Sequence, residues 1–524
     1  PTALNPDLVS FDAFLQRAFR QYGNLQGVTD RGLLNLNGAQ LNETRLRHFL
    51  SRLQRPDVPS LAALVAKDLK AKHSRGFGSH GIHRNMTKAQ LDELLQLKPD
   101  LIDNSNFINV YLLKLAPSGD VDVTYDLEEK KKHLNRLYSF VKGLAPAHNS
   151  LKANVIYRIL VFQRSQGEWN RQLFLEYLSL PHRAQYVTRQ RLESAVGRDH
   201  RIAVNLNADY RSYAKIERIG NDSELVRSFF LHYFTKDKDF DGFVKLIRDD
   251  YLKPLFAEAK LLAGVGDPEK WYSMISSGAV EALKNRVDLD FPPYNKQFFK
   301  SNEAVKLKLS VKNVDTLLVK VFEINTFNFY SRNLQPVDTA INLDGLAATW
   351  ERVLKYKDAP MRRTEREFAF PELNKRGVFV VEFIGNGKSS RALINKGNLR
   401  FIEKLGPAGH EFKVLDETNK PRPKASVWLD GTEYSPDKNG ILTIPFSNRP
   451  GRRSIILRDQ NFCSLAVLDH AGENYHIDAA IHLDRESLVQ GQTAKAVIRP
   501  LLRLNGYPIS SSLLEDAKLV VRSV

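Results

Sequence analysis

Near residue 287 the hydrophobic period of this chain changes from that of a helix to that of a strand, and this switch decides most about its fold. Upstream, apolar residues return every three or four positions. In NETRLRHFLSRLQ, Leu46, Phe49, Leu50 and Leu53 fall on one face. Downstream, in AVKLKLSVKNV, they alternate as Val305, Leu307, Leu309 and Val311, the period of a half-buried strand. Helices first and strands afterwards predict segregated domains rather than a βαβ sheet. At 524 residues the chain also exceeds what one core supports, so several domains are expected.

The helical half carries its own punctuation. Thr87 with Gln90 forms a capping box ahead of Leu91, Leu94 and Leu95. NSLKANVIYRILVFQRSQG runs from a cap at Asn149 or Ser150 to a stop at Gly167, and NRQLFLEYLSLP restarts at Asn170 and ends before Pro181. Together they predict an αα-hairpin whose first helix is apolar on most sides, so other helices must pack around it. Further helices are expected at DSELVRSFFLHYF, GFVKLIRDDYLKPLFAEAKLL and DPEKWYSMI. No fixed-period repeat links them, which makes this half an irregular all-helical array.

The second half reads as short strands separated by turns. Gly385-Asn386-Gly387 predicts a hairpin between strands Val378–Ile384 and Ser389–Asn395. Asp416–Lys420, Asp430-Gly431 and Asn439-Gly440 separate further strands, and another unit begins near Tyr475. Strands with turns every eight to twelve residues predict β-sandwiches. The expected organisation is a helical region over 1–286, with room for two subdomains broken near 145–220. Sandwiches over 287–404 and 405–472 follow, then the start of a further, truncated one at 473–524.

Composition excludes some classes. No apolar run is long enough to span a bilayer. A single cysteine, Cys463, rules out an intramolecular disulfide and any Cys-based zinc cluster. Set in QNFCSLAVLD, it is expected to be a buried, inert thiol. The net charge of +17 suggests an acidic partner, but Lys and Arg are interleaved with acids along the chain. The densest run, Lys130-Lys131-Lys132, follows Glu128-Glu129 on a helix and reads as a solvated face. The N-terminus, Pro1–Asn5, lacks a signal pattern, and the C-terminus stops inside an apparent strand; both ends read as cut from a longer protein.

Three patterns invite chemistry. Asp237, Asp239, Asp241 and Gly242 match the first half of a calcium loop, with Val244 at the usual apolar position. The twelfth position, however, is Arg248, a cation where a bidentate Glu belongs, so the expectation is an acidic junction with Asp241 capping the next helix. His73, His80 and His83 share a Gly-rich stretch with Arg75 and Arg84, two cations that oppose a dication; a flexible, exposed loop is expected. Gly387-Lys388-Ser389 ends like a phosphate-binding loop, but Glu382 stands where its first Gly should be and a strand follows. No G-x-S-x-G elbow or H-E-x-x-H pair appears. The expectation is therefore a non-enzyme: no catalytic, cofactor-binding or metal residue, and no cofactor. Phe327, Phe329, Tyr330 and Arg332 are expected in a loop that packs one domain on another, with contact to a foreign partner as the alternative.

Several strand segments resemble a known family. Asp484–Ser523, with Gly491 before an alternating strand and an NGYPI segment at Asn505–Ile509, looks like the start of a macroglobulin-type sandwich. Val311–Asn325 with Phe370–Leu393 resembles an earlier module of that type, with Arg376 replacing the usual Pro before Gly377. FKVLDETNKPRPKASVWLDG resembles a third. The succession is similar to a bacterial α2-macroglobulin-like protein over 287–524, giving tandem macroglobulin/Ig-like sandwiches. The resemblance implies a scaffold for protease trapping or protein binding, outside the cytoplasm. Its partners would be proteins, proteases among them, or other domains of the same larger chain. The family's thioester signature is absent, since Cys463 is followed by Ser464-Leu465. The alternative expectation is a basic helical scaffold for nucleic acid or an anionic envelope polymer.

Overall fold

Short polar side chains start the helices. Asn42, Thr87, Asn104, Asp126 and Asn170 each accept a backbone N–H two or three residues into the helix they precede. At Thr87 the box is complete: Gln90 N–H donates to Thr87 Oγ1, and Thr87 N–H donates to Gln90 Oε1 at 2.9 Å. The computed structural model describes residues 30–35, 41–117, 121, 123, 126–489, 491, 493–518 and 520. Pro1–Asn5 and residues 521–524 at the C-terminus, the two ends read above as cut, lie outside them. The chain divides into two compact units, residues 1–280 and 281–524.

The first unit is the helical array. The expected αα-hairpin forms as helices Asn149–Ser165 and Arg171–Ser179, although no side chain caps the first; Asn149 instead donates to the Ile202 carbonyl at 3.0 Å. Leu151, Val155, Ile156, Ile159 and Leu160 are all buried, so the first helix is enclosed as its composition requires. Helices Ser223–Phe234 and Asp249–Ala263 pack together over an aromatic core in which Phe174, Phe229, Phe230, Phe234, Phe243 and Phe256 meet edge to face or stacked. The run GFVKLIRDDYLKPLF, expected as one helix, is divided. A single 3-10 turn at Asp241–Phe243 precedes a helix that begins only at Asp249.

The second unit is built from sandwiches. In the first, β1 (Asp288–Asp290), β3 (Lys306–Lys312) and β6 (Thr364–Ala369) form one sheet. The other has the order β2 (Phe298–Phe299), β8 (Lys388–Lys396), β7 (Gly377–Gly385), β4 (Thr316–Ile324), β5 (Trp350–Lys355). Leu307, Leu309 and Val311 from one sheet and Leu317, Val319, Val381 and Phe383 from the other fill the space between. The β7–β8 turn is Asn386-Gly387, with φ of 46° and 74°, the two positive angles that a tight hairpin of this kind needs.

The second sandwich starts at β9 (Leu399–Gly406), which pairs along its full length with β10 (Gly409–Asp416). These two and β13 (Leu442–Ile444) face a sheet of β12 (Thr432–Tyr434), β11 (Ser426–Leu429), β14 (Gly451–Asp459) and β15 (Phe462–His470). Leu399 belongs to this sandwich's core. After it, β16 (Tyr475–Leu483), β17 (Ala496–Leu504) and β18 (Tyr507–Ile509) make a single sheet.

Candidate functional site

The three chemical patterns of the sequence come apart in space. Asp237 pairs with Arg171 at 2.8 Å, and Asp239 accepts the N–H of Asp241 at 3.1 Å. Asp241 opens the 3-10 turn, and Arg248 turns away to pair with Asp250. Asp237 thus bonds to a distant helix and Asp239 to its own turn, and Asp241, expected to cap the next helix, does not: that helix begins at Asp249 without a side-chain cap. Lys388 of the Gly-Lys-Ser triplet reaches Asp290 Oδ1 at 3.1 Å and the Val287 carbonyl at 3.2 Å, a role inside the first sandwich. Among the described residues, no group of three or more His, Cys, Asp or Glu is placed to hold a metal ion.

The histidine stretch is not the exposed loop its glycines suggest. His73 is exposed, but His80 and His83 are buried. Gly76 and Gly78, with φ of 79° and 99°, bend the chain so that Phe77 stacks on His83 with ring centroids 4.7 Å apart and meets Phe107 edge-on. Gly78 N–H donates to His83 Nδ1 at 2.8 Å, which leaves the proton on Nε2, where it has no partner among the described residues. Burial, and then the neighbouring His80, push the His83 pKa down to about 4. His80 Nε2 lies 3.5 Å from Asp68, a buried carboxylate on helix Leu61–Lys70 that the sequence reading missed. Nothing within Asp68's own neighbourhood in sequence marks it. Its partner is twelve residues away in the chain.

A second constellation joins the first two sandwiches. The segment Phe327–Arg332, expected as a loop, is a helix, Thr326–Asn333, capped by Asn325. Its expected use in domain packing is what the structure contains. Tyr330 is buried with Phe322, Val378 and Val380 of the first sandwich and Ile456 and Cys463 of the second. Phe327 meets Trp428 edge-on, and the Arg458 guanidinium lies 4.9 Å from its ring centre. Cys463 is buried in this same cluster, which pushes its thiol up to about 11.

Beside this apolar contact sits a charged one. Arg376 Nη2 lies 3.1 Å from Glu417 Oε1 and 3.3 Å from Asp416 Oδ2, and Arg422 reaches the same Asp416 oxygen at 2.9 Å. Glu417 also accepts the N–H groups of Ser301 and Asn398, each at 3.2 Å. Burial opposes ionisation of Glu417, but those bonds and Arg376 hold its pKa at about 2. Gly397, at φ 80°, leaves room for the Arg376 stem; a Cβ there would stand 2.6 Å from Arg376 Cγ. The sequence signal for this joint was Arg376 itself, standing where a sandwich strand of the resembled type has Pro.

Comparison with known proteins corrects the family reading. Residues 8–287 match the model of the actin-binding protein F N-terminal domain. Residues 317–397 match the AbpF first immunoglobulin-like domain, and residues 484–524 the AbpF third immunoglobulin-like domain. The chain is 34% identical over 502 residues to Actin-binding protein F of Dictyostelium discoideum, an alignment that covers 93% of this chain and 21% of that protein. It therefore spans about a fifth of the curated relative's length. Native Escherichia coli α2-macroglobulin, domains MG0-NIE-MG1, aligns at 13% identity and TM-score 0.25, covering 35% of this chain and 64% of that one. A chimeric titin Z1Z2-Z1Z2 tandem aligns at 15% identity and TM-score 0.17, covering 32% and 91%. At these scores neither likeness bears on what the chain is.

The α2-macroglobulin resemblance is thus overturned, and with it protease trapping, proteases as partners and a place outside the cytoplasm. The basic scaffold for nucleic acid or an envelope polymer falls with them. The motifs behind that resemblance are short: alternating strands, a turn Gly, an Asn-Gly corner. Any immunoglobulin-like sandwich needs them, so they report the architecture and not the lineage. The fold class stands: an N-terminal helical region followed by immunoglobulin-like β-sandwich domains. With one family model matching more than half of its residues, this chain belongs to the actin-binding protein F family.

Proposed function

We propose that this chain is an actin-binding segment of a cytoplasmic, cytoskeletal protein and works without catalysis. The observation that carries the reading is its 34% identity, across 93% of its length, to a protein named for binding actin. In this reading the helical unit makes the contact and the sandwiches act as a stiff arm. The joint of Arg376, Glu417 and helix Thr326–Asn333 supports the second part, because it combines a shared apolar cluster with a partly buried ion pair. The engagement of Asp237, Asp239 and Lys388 in structural bonds supports the absence of catalysis. The domain limits we propose are 1–286, 287–397, 398–472 and 473–524. The shift from 404 to 397 follows β9, whose Leu399 packs in the second core.

The test is co-sedimentation of the whole chain with actin filaments at physiological ionic strength. Saturable pelleting with filaments is the expected result. Pelleting no greater than in the filament-free control would remove the reading.

A further inference from the structure

Between helices Arg171–Ser179 and Ser223–Phe234 runs a long connection with only short helical turns of its own, at Arg189–Val196, His200–Ile202 and Arg211–Ala214. Surface connections held in place by a rigid scaffold are where binding residues concentrate. This one is ordered by specific anchors. His182 bridges to Val204, Tyr210 bridges to Ile216, and Gly220 N–H donates to the Leu206 carbonyl at 2.8 Å, so the segment folds back on itself. Helix Asn149–Ser165 holds it from below. Asn154 donates to the Glu217 carbonyl at 2.9 Å, and Arg158 donates to the carbonyls of Glu217 and Arg218 at 2.8 and 2.9 Å.

Over residues 183–218 the segment carries an excess of positive charge, eight Arg and Lys against four carboxylates. Arg189, Arg201 and Arg211 pair with carboxylates four or two residues away in the chain. Arg183, Arg198, Lys215 and Arg218 are exposed and make no ion pair among the described residues. Lys215 stands in the left-handed region at φ 58°, a conformation that costs a non-glycine residue about 1 kcal/mol and recurs at functional positions. Tyr213 beside it is also exposed. Fixed backbone with unpaired cations and an exposed aromatic is the chemistry of a surface that meets an acidic protein.

We infer that residues 183–218 form the docking surface for an acidic face of the actin filament, an inference that rests on the actin-binding reading above. The four carboxylates interspersed here, Glu193, Asp199, Asp209 and Glu217, favour a protein over a nucleic acid. They would repel a phosphate backbone, yet they match the mixed charges of a protein surface.

The experiment compares the whole chain with two four-site variants of equal charge change. One is Arg183→Glu, Arg198→Glu, Lys215→Glu and Arg218→Glu. The control reverses Lys355, Lys413, Lys424 and Lys438, exposed lysines of the sandwiches. Circular dichroism and melting check that each is folded. Gln replaces Glu at both sets of four sites if either Glu variant does not fold. Co-sedimentation with filaments is expected to weaken at least tenfold for the first variant and less than twofold for the control, with the wild-type affinity falling as salt is raised. Equal binding by the first variant and the wild type overturns the surface and leaves the actin reading intact. Absence of filament binding by the wild type overturns both. Binding of wild type to duplex DNA, lost in the first variant, in place of filament binding would make the occupant a nucleic acid and overturn the proposal.

Discussion

Arg376, the last residue before β7, holds Glu417, the residue that follows β10, with its Nη2 3.1 Å from Oε1, and so ties the first sandwich to the second. Both side chains are largely buried at 19% and 9% exposure, so neither end can return to water when the other is removed. Arg376→Ala is expected to destabilise residues 281–524 by about 2–4 kcal/mol, since it leaves the buried Glu417 carboxylate without its cation, while Asp416 keeps Arg422. Glu417→Gln should cost a comparable amount, because it removes the charge and its single amide oxygen can keep only one of the N–H groups of Ser301 and Asn398, which Oε1 and Oε2 now accept separately. Denaturant unfolding of the single and double variants provides the check. Additive losses would mean that the two residues are not coupled.

The same pair predicts an acid transition. Burial notwithstanding, Glu417 is held at about 2 and Asp416 well below the usual aspartate range by the donors around them. A depressed carboxyl contributes stability that is full above its unfolded pKa and is lost as pH falls through the folded one. For Glu417 that window runs from about 4.5 down to about 2, and the contribution is on the order of 3 kcal/mol. The stability gap between wild type and Glu417→Gln should therefore shrink between pH 5 and pH 3. An unchanged gap at pH 3 would contradict this account of the joint.

How much of this the sequence disclosed depends on how local each signal is. The Thr87–Gln90 box and the Asn386-Gly387 turn were legible because their chemistry closes within four residues. Phe327–Arg332 was misread as a loop: eight residues are too few for a clear helical period, and the cap at Asn325 resembles any turn residue. His80 and His83 were misread as exposed because Gly76 and Gly78 look like punctuation. The features that bury them, Phe107 and Asp68, lie on other helices. Arg376 was noticed only as a departure from a pattern, since its carboxylates lie forty residues on. The family was misjudged for a related reason: sandwich motifs are set by sheet geometry, which unrelated lineages share.

His83 predicts a second pH dependence, in the helical unit and in a different window. Its folded pKa is about 4 against 6.5 in an unfolded chain, so between those values the unfolded state binds the extra proton. Stability of residues 1–280 should be full above pH 6.5 and fall towards pH 4, by up to about 1.4 kcal/mol per pH unit from this residue. The groups facing it act through His80, which burial pulls down, Asp68 pulls up, and Arg47 and Arg75 pull down. Melting followed at 222 nm from pH 7 to pH 4 should show the decline in wild type and a shallower one in His83→Gln. Parallel curves would assign the decline to other groups.

Asp222 is buried and receives the hydroxyls of both Tyr177, at 2.8 Å, and Tyr186. Burial first, and then this carboxylate, raise both phenols well above the usual tyrosine range, so they are donors at neutral pH. Tyr177→Phe or Tyr186→Phe alone should cost about 1–2 kcal/mol, one charge-assisted bond each. The double variant should cost more than the sum, because it strands a buried carboxylate. Thermal unfolding of the three variants decides the matter, and an additive double variant would mean that water or another donor satisfies Asp222.

The third sheet makes a prediction of another kind. Tyr475, Ile477, Ile481 and Leu483 alternate with polar residues along β16, and cross-strand pairing sets Ile477 opposite Leu502 and Ile481 opposite Ile498. The four β16 side chains are exposed, Ile481 by 57%, so one face of this sheet presents contiguous apolar surface among the described residues. A face of this kind gains free energy from any apolar cover, at about 25 cal/mol per Å² removed from water. A polypeptide of residues 1–524 alone is therefore expected to bind a hydrophobic dye such as ANS and to self-associate as its concentration rises. Ile477→Lys with Ile481→Lys should reduce both, because a charge on each of two central positions makes burial of the face unfavourable. Val353→Lys, at an equally exposed position on edge strand β5, provides the comparison. If that variant lowers dye binding as much as the β16 pair does, the apolar surface that matters lies on the first sandwich; if it does not, the exposed face of the third sheet accounts for the dye binding.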